Sequence, residues 1–149
     1  MAKSSKKSLT GIHVDQYDFW SRLQKTNLSL YKKAIQGQHF YDLPISNNGW
    51  IIRLDIYFRE SDYNNKGHLT MAVMNKDKQL FDNNKGLVLD FFENDRNMLT
   101  HEDLYRKKYH RLVVGTKNPD YYLSDHQKWD NAIEWFNTYV YEVKKVLHI

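Results

Sequence analysis

The chain has 149 residues, no cysteine and a formal net charge of +4. This length suits one domain, and the lack of cysteine excludes disulfides, thiolate nucleophiles and cysteine-type zinc sites. The mild excess of basic residues favours anionic partners without requiring them. No stretch approaches the roughly 20 apolar residues of a membrane span, and no apolar run follows the first lysines. We therefore expect a cytoplasmic protein with no membrane partner.

The first part of the chain predicts a basic arm followed by a helix. Residues 1–12 hold lysines among serines and cannot bury apolar surface, so they are expected to form a flexible arm. The single α+β domain is expected to span residues 13–149. Asp15 is a candidate N-cap, and apolar residues recur after it at helical spacing, which predicts a helix over about residues 15–34 with a break near Thr26.

Three extended segments follow this helix. Residues 39–45 are rich in aromatic and branched side chains and contain Pro44, which suits an edge strand or a strand end. Residues 50–58 alternate apolar and polar side chains, which predicts a strand with one buried face. An exposed loop over residues 59–67 then leads to a returning strand over residues 68–74. The predicted inward side chains of these last two strands are Trp50, Ile52, Leu54, Ile56, Phe58, Leu69, Met71 and Val73.

The rest of the chain predicts a helix, a hairpin and a closing helix. Asn75 or Asp77 can cap the first of these helices. Residues 99–105 and 109–116 predict two strands around a basic turn. Ser124 and Gln127 have the spacing of a capping box before a long amphipathic helix. The inward positions of the first helix are predicted to be Leu80, Phe81, Leu87, Val88, Phe91 and Phe92.

Together these elements predict an α+β fold. We expect a mostly antiparallel sheet of four or five strands, with three helices in a single layer on one face.

Four phrases stand in order along the chain: Phe19-Trp20, the segment from Phe40 to Ile45, Lys107-Lys108 before Arg111-Leu112, and Trp129 to Trp135. Together they resemble the domain of unknown function 4268 family over about residues 17–146. Such domains often follow nuclease-like domains in bacterial and archaeal proteins thought to act in restriction or defence. The resemblance therefore implies a restriction, defence or counter-defence setting, although no nuclease-like domain accompanies these 149 residues. The family has no established activity that could be transferred to individual residues.

Two acidic patterns raise the question of nuclease chemistry. Pro119-Asp120 with Glu142 and Lys144 spells a signature of metal-dependent nucleases, whose chemistry needs these residues on neighbouring strands. The helical pattern instead places Glu142 and Lys144 on the closing helix, where they are expected to be solvated.

The second acidic pattern lies on the first two predicted strands. Strands one and two could bring Asp42 and Asp55 to one outer face, where they could hold a metal ion, with Glu60 and Asp62 as further candidate ligands. The alternative is that Asp42 bonds backbone at a strand end while Asp55 pairs with Arg53 or another neighbour.

Other signatures of chemistry are absent from the sequence. The seven histidines show no pair at metal-ligand spacing, and no hydrolase or nucleotide-binding signature occurs. We therefore predict no catalytic residue, no metal site and no cofactor.

The strongest positive signal combines cations and aromatic rings around the second hairpin. Lysine and arginine clusters contact phosphates, and neighbouring tyrosines can stack on bases. A basic turn that only aids solubility explains the same pattern. The predicted nucleic-acid-binding residues are Tyr105, Arg106, Lys107, Lys108, Tyr109, His110 and Arg111.

These observations predict a noncatalytic binding module. Its partner is expected to be DNA, RNA or a protein of a defence system. The alternatives are a divergent metal-dependent nuclease that uses Asp42, Asp55 and Glu60, and a purely protein-binding inhibitor.

Overall fold

A computed structural model describes residues 11–26, 34–56, 69–93, 98–116 and 121–149. Within these ranges the chain forms three α-helices and one open five-stranded sheet, so the predicted α+β class is confirmed. Every neighbouring pair of strands is antiparallel. The strand order is β1-β2-β3-β5-β4. The elements are α1 (Ile12–Gln24), β1 (Phe40–Pro44), β2 (Ile51–Asp55), β3 (Thr70–Asn75), α2 (Lys78–Glu93), β4 (Met98–Tyr105), β5 (Tyr109–Thr116) and α3 (Trp129–Val146).

The sheet buries one face beneath the helices, which we call the inner face. Successive side chains of a strand point to opposite faces, so the alternation in β2 places Ile52 and Leu54 inward and Arg53 outward. The predicted inward residues of β3 are also buried. Tyr57, Phe58 and the predicted loop lie outside the described residues. The inner face and the helices share one core, which includes Leu43, Met71, Val73, Leu112, Val114, Phe81, Val88, Phe92, Val140 and Val143.

Aromatic rings join α1 to β1 and α3 at the centre of this core. Trp20 stacks on Tyr41 with ring centroids 5.5 Å apart, and Phe19 meets Trp129 edge-on at 5.4 Å. The indole nitrogen of Trp20 donates a hydrogen bond of 2.8 Å to the Gln38 carbonyl. A buried indole N–H needs such a partner, so this bond fixes the chain that leads into β1.

The boundaries of α1 differ from the prediction. The helix begins at Ile12 and ends at Gln24, so Asp15 lies in its first turn and is not its N-cap. The His13 ring nitrogen Nδ1 donates to the Gly37 carbonyl at 2.8 Å, and this tertiary contact joins the first turn of the helix to the chain before β1. Residues 1–10 of the predicted arm and residues 27–33 lie outside the described residues, while Ala34 is not helical.

Helix α2 begins where its cap was predicted. The Asp77 carboxylate accepts the backbone N–H of Leu80 at 3.1 Å, and the Asn75 side chain accepts that of Asp77 at 2.9 Å. The inward placement of Leu87 is wrong, because its side chain is 44% exposed.

Helix α3 confirms one prediction and corrects another. It carries Glu142 and Lys144, as expected. The predicted capping box is wrong, because a short 3₁₀ turn over His126–Lys128 precedes the helix and neither N-cap position has a side-chain cap. The Trp129 indole N–H donates to the Leu123 carbonyl at 2.8 Å, and this contact replaces the cap as the link between turn and helix.

Candidate nucleic-acid interface

The sheet face opposite the helices, which we call the outer face, carries charged and aromatic side chains. Arg53 of β2 lies opposite Asp42 of β1, and Arg111 of β5 lies opposite Asp103 of β4. At the end of the β4–β5 hairpin, Tyr105 and Tyr109 form a directly opposed pair. The register therefore gathers acids, arginines and tyrosines on one surface.

Arg53 connects the two halves of the outer face. Its Nε and Nη2 atoms donate to both Asp42 oxygens at 2.7 and 3.0 Å, and Nη1 donates to the Tyr105 hydroxyl at 3.0 Å. Burial by itself would lower the pKa of Arg53, but the hydrogen bond and charge of Asp42 and the Tyr105 hydroxyl raise that pKa above its ordinary value. The neighbour of Arg53 on β3 is Ala72, whose small side chain leaves room for this crossing. Ala72 and Met74 are each only 2% exposed.

Arg111 is held in the same way at the other side of the sheet. Its Nε and Nη2 atoms donate to the two Asp103 oxygens at 2.8 and 2.6 Å. The bonds from Arg111 lower the pKa of Asp103, and those to Asp103 raise the pKa of Arg111. Arg53 and Arg111 are therefore both neutralised by bidentate carboxylates.

The two acids proposed as metal ligands are engaged in these outer-face pairs. Arg53 occupies both oxygens of Asp42, and His39 Nδ1 lies 3.0 Å from an Asp55 oxygen. The pairing of Asp55 with a neighbour, His39, agrees with the alternative expected from the sequence. The expectation for Asp42 was wrong, because its carboxylate accepts from the Arg53 side chain and was expected to bond to backbone. Glu60 lies outside the described residues, as do Asp62 and Asp120. Among the described residues no group of three acidic or histidine side chains could hold a metal ion.

The β4–β5 turn presents three consecutive cations to solvent. The Lys108 N–H donates to the Tyr105 carbonyl at 3.1 Å and closes the turn. Its central residues, Arg106 and Lys107, have φ angles of 53° and 56°. This left-handed conformation costs an L-residue roughly 1–2 kcal/mol, and hairpin turns of this kind usually carry asparagine or glycine. All three side chains of Arg106–Lys108 are exposed.

A fourth cation joins these three beside the tyrosine pair. The Lys76 Nζ atom lies 5.2 Å from the centre of the Tyr109 ring, and Lys108 Nζ lies 5.9 Å from it. The Arg106 guanidinium lies 5.1 Å from the Tyr105 ring centre. We call Lys76, Arg106, Lys107 and Lys108 the basic patch. Within the described ranges none of the four forms an ion pair.

The structure separates the seven residues predicted to bind nucleic acid. Arg106, Lys107 and Lys108 lie together at the exposed turn, with Tyr105 and Tyr109 beside them on the outer face. His110 lies on the inner face, where its ring centre is 5.7 Å from that of Phe81. Arg111 shares the outer face with the tyrosines, but it is paired with Asp103.

Sequence reasoning missed Lys76. It follows β3 directly, and β3 pairs with β5 so that Asn75 faces His110. The next residue along the chain must therefore lie near Tyr109. Only the non-sequential strand order reveals this neighbourhood.

No protein-family model matches the chain, and no curated protein or solved structure is detectably similar to it. The resemblance to the domain of unknown function 4268 family stays a prediction. Among the helices of the described ranges, none has the length and apolar character needed to cross a membrane.

Proposed function

We propose that the protein is a noncatalytic binding module that contacts nucleic acid through the basic patch. The observation that carries this proposal is a contrast in charge pairing. Arg53 and Arg111 on the sheet are neutralised by aspartates, whereas the four exposed cations of the patch have no described carboxylate partner. Unpaired cations grouped on one surface are suited to polyanions, and the phosphate backbone supplies most of the free energy of nonspecific nucleic-acid binding.

The backbone of the turn supports the same function. Arg106 and Lys107 occupy positions that glycine or asparagine would accept more easily. Strained conformations persist where they serve a purpose, and functional sites are where they cluster. Here two cationic residues occupy the strained positions at the tip of the hairpin.

A noncatalytic role is supported by the state of the sheet carboxylates. Both oxygens of Asp42 and of Asp103 accept hydrogen bonds from arginine, which leaves them poorly suited to bind Mg²⁺. The setting that we propose is restriction, defence or counter-defence in a bacterium or a phage, as the family resemblance implies. No contact in the described residues favours the nuclease or the protein-binding inhibitor over nucleic-acid binding.

The proposal is tested by measuring the anisotropy of a labelled DNA duplex of about 20 bp at about 50 and 200 mM salt. If the four cations each contact a phosphate, the slope of log K against log salt is about −3.6, and affinity falls roughly 100-fold over that range. The Arg106→Ala/Lys107→Ala/Lys108→Ala variant is expected to lose most of this binding and most of the slope.

The matched control removes the same charge elsewhere. Arg22 on α1, Lys25 just after α1 and Lys145 on α3 are exposed, and their joint replacement by alanine is expected to leave most binding intact. If the two triple variants lose equal affinity for DNA, the binding follows net charge, and the assignment of the binding surface to the hairpin is overturned. A wild-type protein that binds no nucleic acid at low salt would overturn the proposal itself.

A further inference from the structure

We infer that the basic patch recognises the phosphate backbone of a duplex and that the neighbouring Tyr105 and Tyr109 do not stack on bases. This inference rests on the proposed function and concerns the chemistry of the same surface. It departs from the expectation that the two hairpin tyrosines serve as stacking platforms.

The ring of Tyr105 is already surrounded by cations. The guanidinium carbons of Arg111, Arg106 and Arg53 lie 4.5, 5.1 and 5.2 Å from its centre. Two of these arginines are fixed by bidentate aspartates, so they cannot easily move aside. The Tyr105 hydroxyl also accepts a hydrogen bond from Arg53, which pins the side chain. A base that approached this ring would have to compete with three guanidinium groups for contact with it.

Tyr109 is occupied in a similar way by two ammonium groups. Lys76 and Lys108 place their Nζ atoms 5.2 and 5.9 Å from its ring centre. Cation–π contacts of this kind hold a positive charge against an aromatic ring. An ammonium group in this position keeps donors that can reach a phosphate oxygen. Because Tyr105 and Tyr109 are opposed across the hairpin, the cations on the two rings form one group.

The cations of the patch match phosphate chemistry. Arg106 offers a planar fork of N–H donors to phosphate oxygens, whereas the three lysines act as point charges. Contacts to phosphates fix position on the nucleic acid and carry no sequence information. A duplex presents more closely spaced phosphates than a single strand, so it gains more from such a surface. Single strands depend on base stacking for much of their affinity, and here the rings are occupied.

The inference is tested with four probes of equal length: two duplexes of unrelated sequence, one single strand and one single strand with abasic sites. We expect equal affinity for the two duplexes, at least several-fold weaker binding of the single strand, and no further loss at abasic sites. Tighter binding of the single strand, with a loss at abasic sites, would overturn the inference while leaving nucleic-acid binding intact. Failure to bind any of the four probes would overturn the proposed function as well.

Variants of Lys76 and Tyr109 make the test specific to this surface. Lys76→Ala is expected to reduce the salt slope on duplex DNA by about 0.9. Lys78→Ala is the matched control, because Lys78 is also exposed but is paired with Asp82, and the salt slope of this variant should equal that of the wild type. A Lys76→Ala slope equal to that of the control would overturn the role of Lys76. Tyr109→Leu is expected to leave the duplex-to-single-strand preference unchanged, and a change in that preference would overturn the inference.

Discussion

Replacing Lys107 by glycine should make the protein more stable while removing a charge from its binding surface. The φ angle of 56° at Lys107 costs a non-glycine residue roughly 1–2 kcal/mol. Glycine removes this cost but adds freedom to the unfolded chain, which offsets about 0.5–1 kcal/mol of the gain. The net expectation is an increase of about 0.5–1 kcal/mol in the free energy of unfolding. For a domain of this size the melting temperature should rise by about 1–4 °C.

Urea unfolding followed by tryptophan fluorescence, together with calorimetry, measures both quantities. Lys108→Gly is the matched control: it removes the same charge one residue later, where φ is not positive. There glycine only adds freedom to the unfolded chain, so stability should fall by about 0.5–1 kcal/mol. If Lys107→Gly is no more stable than Lys108→Gly, the turn is not strained and the support that strain gives to the proposed function is lost.

Three further predictions concern the helices and the outer face. Gly86→Ala should raise the free energy of unfolding by about 0.5–1 kcal/mol in urea titrations, because alanine favours a helix interior more than glycine does. Gly86 lies within α2 and an added Cβ would meet nothing within 4 Å, so a destabilised variant would contradict this reasoning. Asp42→Ala should lower the free energy of unfolding by about 2–3 kcal/mol, because Arg53 would stay mostly buried without a carboxylate partner. The double variant Asp42→Ala/Arg53→Met should recover most of this loss, and no recovery would show that the unpaired charge of Arg53 is not its cause. The pKa of Asp103 lies below its ordinary value of 3.8 because of its bonds to Arg111. The ionised Asp103 side chain therefore contributes fully to stability at pH values above that ordinary pKa, and this contribution disappears as the pH falls through the lowered pKa. The stability gap between the wild type and Asp103→Asn should therefore close as urea titrations move from about pH 6 to pH 2, and a constant gap would refute the link to ionisation.

The sequence predicted the elements whose signals are local. The alternation in β2 identified a strand and its buried face, and the β4–β5 hairpin was located around its basic turn. Helix α3 was placed well enough to assign Glu142 and Lys144 to a helix. Where α1 begins was not predicted from local signals, and its first turn contacts the Gly37 carbonyl, 24 residues away, through His13.

The candidate site was predicted only in part. His110 and Arg111 were grouped with the turn, and the structure places them on opposite faces of the sheet. This separation could have been foreseen from the sequence, because consecutive strand residues face opposite sides of a sheet. The bond between Arg53 and Tyr105 could not have been foreseen. It joins residues 52 positions apart on strands that are not neighbours in the sheet.

The strand order has a consequence for how the protein behaves at high concentration. β1 and β4 are the outermost strands, so each leaves one row of backbone hydrogen-bonding groups that a second molecule could extend into a fibril. β1 ends at Pro44, which lacks an N–H group, and β4 exposes the ionisable side chains of His101 and Glu102. A second molecule that paired with β4 would have to place its own strand beside these ionisable side chains of β4. Growth of fibrillar aggregates is thereby opposed at both ends of the sheet.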